Sequence, residues 1–250
     1  MSFNGKVVVV TGGSSGLGAA IAIAFAKEGA HVAIVGRNEE RLREIAKKCN
    51  DYSKNPLVIK ADLNKDDDAE KVITDTINKF TKLDVLINCA GILRRCTLEG
   101  GFMRTFDEIM RINLRAAVVI TELATPYIIA SKGNIINISS VGSTEIPNAE
   151  YTANCVSKAG LDHFTRGAAI ELSKYGVRVN AISPGPVKTK IFANAGIHLP
   201  YEEIGFRTLL NRWGEPEEIA DLALFMASDK AKSVTGSIYT SDNGYLLVKY

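Results

Sequence analysis

A doubly wound parallel α/β sheet with helices on both faces is the fold class this sequence predicts, and three observations carry that prediction. Short apolar, β-branched runs alternate with helix-period segments along the chain, the pattern of repeated βαβ units. The first of these runs breaks into a glycine cluster (KVVVVTGGSSGLG, residues 6–18). Finally, 250 residues that are 46% hydrophobic and 23% charged suit one large core rather than two small ones, so residues 1–250 read as a single domain.

The first strand runs through Val7 to Val10, where the absence of polar alternation suits a strand covered on both faces. Gly12, Gly13, Gly16 and Gly18 follow, and a helix over 18–29 completes the unit. Glycines at such a turn let backbone N–H groups approach a pyrophosphate at the positive end of the helix, which makes a nucleotide the expected ligand. An ordinary strand-turn-helix start carries the same local signature, so later motifs must decide. A second strand over 31–36 (HVAIVG) leads to a helix over 39–49, and a third over 57–60 to a helix over 68–80. The run Asp66-Asp67-Asp68 reads as the solvated start of that helix. Strands over 84–88, 133–138, 178–182 and 237–239 and helices over 106–131, 154–175 and 215–228 complete the alternation. Residues 188–213 fit this rhythm least, reading either as a lid over a cleft or as two surface helices.

Composition excludes several classes of function. A net charge of +2 with interspersed signs argues against a nucleic-acid partner. No run of eighteen residues lacks both charges and helix breakers, and no basic segment with a cleavage site precedes the first strand. A cytoplasmic protein without a membrane partner is therefore expected. Cys49, Cys89, Cys96 and Cys155 lack CxxC spacing and His31, His163 and His198 lie far apart, so neither a disulfide framework nor a metal site is supported.

The end of the second strand tests the nucleotide reading. An acidic residue there takes ribose hydroxyls in NAD-binding folds, but this chain has Arg37 and Asn38. A guanidinium pairs with a 2′-phosphate where a carboxylate would repel it, so NADP(H) is favoured over NAD(H). Pairing of Arg37 with Glu39 or Glu40 is the plainer alternative.

Eight ordered motifs resemble those of the short-chain dehydrogenase/reductases over nearly the whole chain. Thr11-Gly12-Gly13-Ser14-Ser15-Gly16-Leu17-Gly18 is similar to the family's TGxxxGxG. Asp62-Leu63 follows the third strand, and Asn88-Cys89-Ala90-Gly91 stands for NNAG. Asn113, Ser139-Ser140 and Ser157-Lys158-Ala159-Gly160 come next, then Pro184-Gly185-Pro186-Val187-Lys188-Thr189 for PGxVxT, and residues 213–220 last. The resemblance implies a Rossmann-type fold and hydride transfer between NADP(H) and a small carbonyl or alcohol substrate. It also implies a homotetramer built on the helices near Asn113 and Asn154 and on the last strand. It assigns Asp62 and Leu63 to the adenine and Asn88, Ala90 and Gly91 to the adenosine-side ribose. Pro184, Gly185, Val187 and Thr189 would hold the nicotinamide. Ser140 would meet the substrate oxygen, Lys158 the nicotinamide ribose, and Asn113 a water linking that lysine to solvent.

At one position the chain departs from the family. The family's tyrosine lies four residues before its lysine, where one helix face lets the ammonium lower the phenol's pKa; here that position is Asn154. An amide is no general acid near neutral pH. From Ser140 to Lys158 the spacing is also one residue longer than usual, and the nearest phenol, Tyr151, lies about 10 Å along an ideal helix from Lys158. Tyr151 can serve only if the helix begins after it and the longer loop folds its ring over the nicotinamide. The competing reading is a packing tyrosine beside a disabled site. Cys155 is expected to point elsewhere as a core thiol, and Tyr201 and His198 read as ordinary loop residues. Lys158 is a poor proton donor unless burial lowers its pKa. Two functions remain open: an atypical carbonyl reductase, or a catalytically impaired NADP(H)-binding sensor or scaffold.

Overall fold

Seven parallel strands form one sheet in the order β3-β2-β1-β4-β5-β6-β7, the Rossmann-type arrangement. The strands are β1 (Val7–Thr11), β2 (His31–Gly36), β3 (Leu57–Lys60), β4 (Val85–Asn88), β5 (Asn134–Ile138), β6 (Arg178–Pro184) and β7 (Ile238–Ser241). The computed structural model describes residues 2–52 and 55–248; the outermost residues of the expected 1–250 domain and 53–54 lie outside the described residues.

Helices cover both faces: α1 (Gly16–Lys27), α2 (Glu39–Asn50), α3 (Asp66–Phe80), α4 (Phe102–Met110), α5 (Ala116–Ser131), α6 (Thr152–Leu172), α7 (Ile191–Asn194) and α8 (Pro216–Ala227). Valines 7–10 alternate between the two cores. Val8 and Val10 pack with Ile21 and Phe25 of α1 and Ala223 of α8, while Val7 and Val9 pack with Val72 of α3 and Ile120 of α5. Full burial of such side chains stabilises the fold by about 1.5–3 kcal/mol each.

Caps explain where several helices begin. Asn38 accepts from Arg41 N at 3.0 Å at the start of α2, the three aspartates 66–68 form the first turn of α3, and a Glu215–Glu218 capping box opens α8 ahead of Pro216. α1 starts at Gly16, two residues earlier than the sequence predicts, because the loop glycines form its first turn. α4 starts at Phe102, after Gly101 at φ +68°, rather than at residue 106. Between α4 and α5 the helix widens to a π turn over Arg111–Arg115, a local rearrangement that no periodicity announces. The α4–α5 run Phe102–Ser131 is long and apolar enough to cross a membrane by length and composition. Its Ile109, Ile120 and Ile128 are nonetheless fully buried within the protein, as in a core helix.

Residues 188–213 hold the single turn α7, a 3-10 turn at Tyr201–Glu203 and an aromatic cluster. Phe192, Tyr201 and Phe206 each lie within 5.8 Å of the Trp213 ring, and Phe206 also contacts Tyr245.

Candidate active site

Strand order reverses between β1 and β4, and at such a switch point the turns leaving the two strands diverge and open a crevice. A cleft of about 760 Å³ lies there. The glycine turn forms one wall. Gly12 sits at φ +68°, and a Cβ there would come within 2.9 Å of Ala90 Cα; one on Gly18 would come within 2.4 Å of the Gly12 carbonyl oxygen. Thr11 Oγ1 ties the turn to the end of β4 by accepting from the N–H groups of Cys89 and Ala90 at 2.9 and 3.0 Å.

The start of α1 suits an anion. Ser15 makes no side-chain cap and the first turn holds no acidic residue, unlike the first turns of α2, α3 and α8. The positive end of the helix dipole is thus uncompensated beside the cleft. Arg37 and Asn38 border the same cleft, joined by Arg41, which the sequence reading missed. No ion pair engages Arg37 or Arg41 among the described residues. Arg41 was discoverable, since the third residue after an N-cap faces back over the helix entrance.

Ser14, Ser15, Gly16, Leu17, Asp62, Leu63, Ala90 and Gly91 line this half of the cleft, and Pro184, Gly185, Val187 and Thr189 line the other. Asp62 Oδ1 accepts from both the N–H and the side chain of Asn64. Thr189 Oγ1 accepts from Ile191 N at 3.4 Å, and its carbonyl accepts from the Tyr201 hydroxyl. These donors and charges fit a dinucleotide phosphate: an amide-rich helix start, two cations beyond β2 and a buried lysine at the far end.

Asn88 is a correction. It is absent from the cleft wall, and its Nδ2 donates to Thr121 Oγ1 at 3.1 Å and Asn137 Oδ1 at 2.9 Å; Asn137 in turn donates to Thr165. The side chain at the end of β4 is buried between β5 and α5, and Cys89, Ala90 and Gly91 after it border the cleft. Asn88→Ala is expected to cost about 1–3 kcal/mol in denaturant unfolding, because it strands buried polar partners.

Asn113, in the π turn, is also off the cleft wall. Its Oδ1 accepts from Ile92 N at 2.8 Å, and its Nδ2 donates to Ile92 O at 3.0 Å, Asn154 Oδ1 at 3.0 Å and Ser157 Oγ at 3.2 Å. It clamps the turn after β4 to α6 through side-chain bonds that the sequence alone does not announce.

Lys158 is buried, with Nζ donating to the Ile138 carbonyl at 2.7 Å. Burial holds its pKa down to about 8, against the opposing pull of Cys89 and Asp162. Ser139 and Ser140 both reach the cleft. The Ser139 hydroxyl is buried without a partner among the described residues, while Ser140 Oγ accepts from Gly142 N at 3.1 Å. α6 begins at Thr152, directly after Tyr151, so Tyr151 does line the cleft. Burial raises its pKa, and the charges acting on it are Arg95 and Glu150 rather than Lys158. Cys155, expected to point elsewhere, borders the cleft while remaining buried, its Sγ 3.8 Å from the Glu145 carbonyl. Tyr201 and His198 are not on its wall.

Comparison with known proteins agrees with this geometry. A family model described as enoyl-(acyl carrier protein) reductase matches residues 12–246. A 3-oxoacyl-[acyl-carrier-protein] reductase from Thermotoga maritima is 33% identical, covering 99% of this chain and 100% of that protein. An NAD-dependent glycerol dehydrogenase from Listeria innocua is 32% identical, covering 97% of this chain and 94% of that protein. Among solved structures, a Burkholderia cenocepacia short-chain dehydrogenase in complex with NADP superposes with a TM-score of 0.90 at 28% identity, covering 98% of this chain and all 100% of that one. A Caenorhabditis elegans short-chain dehydrogenase/reductase solved with cofactor gives a TM-score of 0.90 at 31% identity, covering 99% and 97%. From glycine turn to buried lysine, sequence, fold and site agree that this chain belongs to the short-chain dehydrogenase/reductases.

Proposed function

We propose that this oxidoreductase uses NADP(H) to reduce a small carbonyl compound, with an active site that works without the family's tyrosine. The observation that carries the reading is one continuous cleft joining the uncapped start of α1, the Arg37–Arg41 pair and buried Lys158. Bound there, NADPH supplies a hydride to a carbonyl carbon. The Listeria relative is named NAD-dependent and the Burkholderia structure holds NADP, so the preference of this chain rests on its own charges. Arg37 and Arg41 line the cleft beyond β2 while the Glu39 and Glu40 carboxylates of the same turn do not, which favours the 2′-phosphate.

Within this reading, residues 188–213 act as a lid over the substrate end, their aromatic cluster resting beside the cleft. The exposed apolar residues Tyr127, Val156 and Ile170 on α5 and α6 suit burial in a homotetramer in the cytoplasm.

Lys158→Ala is expected to weaken NADPH binding by roughly tenfold or more as well as lowering turnover, because a buried charged donor to the ribose is lost. Unchanged affinity would place Lys158 outside the cofactor site. The deciding assay follows NADPH oxidation against a panel of ketones and quinones. Turnover of any member supports the reductase. Tight NADPH binding with no turnover across the panel favours the sensor or scaffold reading, for which the observation is Asn154 itself.

A further inference from the structure

Asn154 stands on the cleft wall one helical turn before Lys158, and the bonds around it determine which amide atom faces the cleft. A backbone N–H can only donate, so the Asn113 atom 2.8 Å from Ile92 N is Oδ1. Asn113 Nδ2 therefore occupies the other branch, where it donates to the Ile92 carbonyl at 3.0 Å. The Asn154 atom 3.0 Å from that Nδ2 must accept, which makes it Oδ1. Turning either amide over would set donor against donor, so only one arrangement satisfies the clamp. Asn154 Nδ2 is the branch left over, in a half-buried residue of the cleft wall, and it donates to no other described residue.

We propose that Asn154 Nδ2 is a catalytic hydrogen-bond donor that holds the substrate's carbonyl oxygen and the alkoxide it becomes, while the Lys158 ammonium supplies the proton. This rests on the NADP(H)-dependent reductase reading above. The hydride and its electron pair form the new C–H bond at the carbonyl carbon, and the C=O π pair moves to oxygen. The alkoxide then takes a proton from Lys158 through a cleft water, and the neutral amine recovers its proton from solvent. Asn154 keeps its own protons throughout; its part is to stabilise charge on oxygen, as an oxyanion-hole amide does.

Lys158 is placed for its share. It lies on the same face of α6 as Asn154, and its bond to Ile138 O leaves two further N–H groups. Desolvation brings the ammonium to about 8, with Cys89 from the turn after β4 and Asp162 from α6 acting against it, so it is an effective acid near neutral pH. Ile92, Val141, Pro147, Ile191, Phe192 and Phe206 give the cleft apolar wall beside the polar Arg94, Lys190 and Asn194, which suits a ketone with an apolar substituent.

Acetophenone labelled with ¹³C at the carbonyl is the probe, and Asn154→Asp is the deciding variant. A carboxylate oxygen still accepts from Asn113 Nδ2, but no N–H remains for the substrate. We expect kcat for acetophenone with NADPH to fall about 10²-fold while KM changes little. The infrared carbonyl stretch of the probe, lowered when bound to the wild-type NADP⁺ complex, should return toward its value in apolar solvent. Asn154→Ala should behave alike without the added charge. The wild-type rate should also fall above a pH of about 8 as the ammonium empties, and Asp162→Asn should move that limb to lower pH. If Asn154 were only a clamp for Asn113, the Asp variant would match wild type in rate and in carbonyl stretch, and that result overturns the proposal. So does a wild type that neither binds nor reduces the ketone. NADPH fluorescence titration of the same samples reads the underlying assignment separately: failure to bind NADPH overturns the reductase reading, whereas tight binding with an unshifted carbonyl overturns only the role of Asn154.

Discussion

Asn154→Tyr is expected to raise NADPH-dependent ketone reduction by an order of magnitude or more, within the ~10²–10⁴-fold range that a positioned general acid contributes. The substitution puts a phenol one turn before Lys158, so the ammonium lowers the pKa of the new acid and the hydroxyl both holds the substrate oxygen and gives it a proton. Space allows it, because Asn154 lies on the wall of an open cleft. The Asn113 clamp also survives, since its Nδ2 keeps Ile92 O and Ser157 Oγ as acceptors when Asn154 Oδ1 is gone. Tyr151→Phe should leave the wild-type rate nearly unchanged, because burial weakens that phenol as an acid and Lys158 does not act on it. Steady-state assays of both variants decide the matter. Loss of activity in Tyr151→Phe, with no gain in Asn154→Tyr, would instead mean that Tyr151 has been recruited as the acid.

The second large effect lies at the other end of the cleft. Arg37→Asp should reverse the cofactor order, weakening NADPH by roughly 10–100-fold while sparing or improving NADH. A charge-assisted contact to phosphate is worth about 1.5–3 kcal/mol, and each 1.4 kcal/mol is a factor of ten. The new carboxylate would repel the 2′-phosphate and accept from ribose hydroxyls. Arg41→Ala should weaken NADPH by less, since Arg37 remains. Titrations of both variants with each cofactor test this, and an unchanged NADPH preference in Arg37→Asp would remove the arginine from the phosphate site.

The strands and the glycine turn were legible in sequence because their signals are local. Four valines in succession report a strand covered on both faces, and glycines at fixed spacing report a tight turn into a helix. Contacts between distant segments were not legible. Asn88 looked like a cleft residue because a strand buried on both faces gives no clue to which side its last side chain takes; pairing with Thr121 and Asn137 decides it. The Asn113–Asn154 bond joins residues 41 apart across a π turn, and no pattern within either helix predicts it. Cys155 was expected away from the site from its angle round α6, yet it borders the cleft beside the turn that follows Ser140. Lys158 was expected at the cofactor site and the fold places it on the cleft wall, but its acid strength depends on burial that only the fold creates.

Paired fluorescence titrations of the wild-type protein with NADPH and NADH test most directly whether this cleft selects a 2′-phosphorylated dinucleotide. NADPH is expected to bind at least about tenfold more tightly, the equivalent of one charge-assisted contact. Equal affinities for the two cofactors, or tighter binding of NADH, would contradict it.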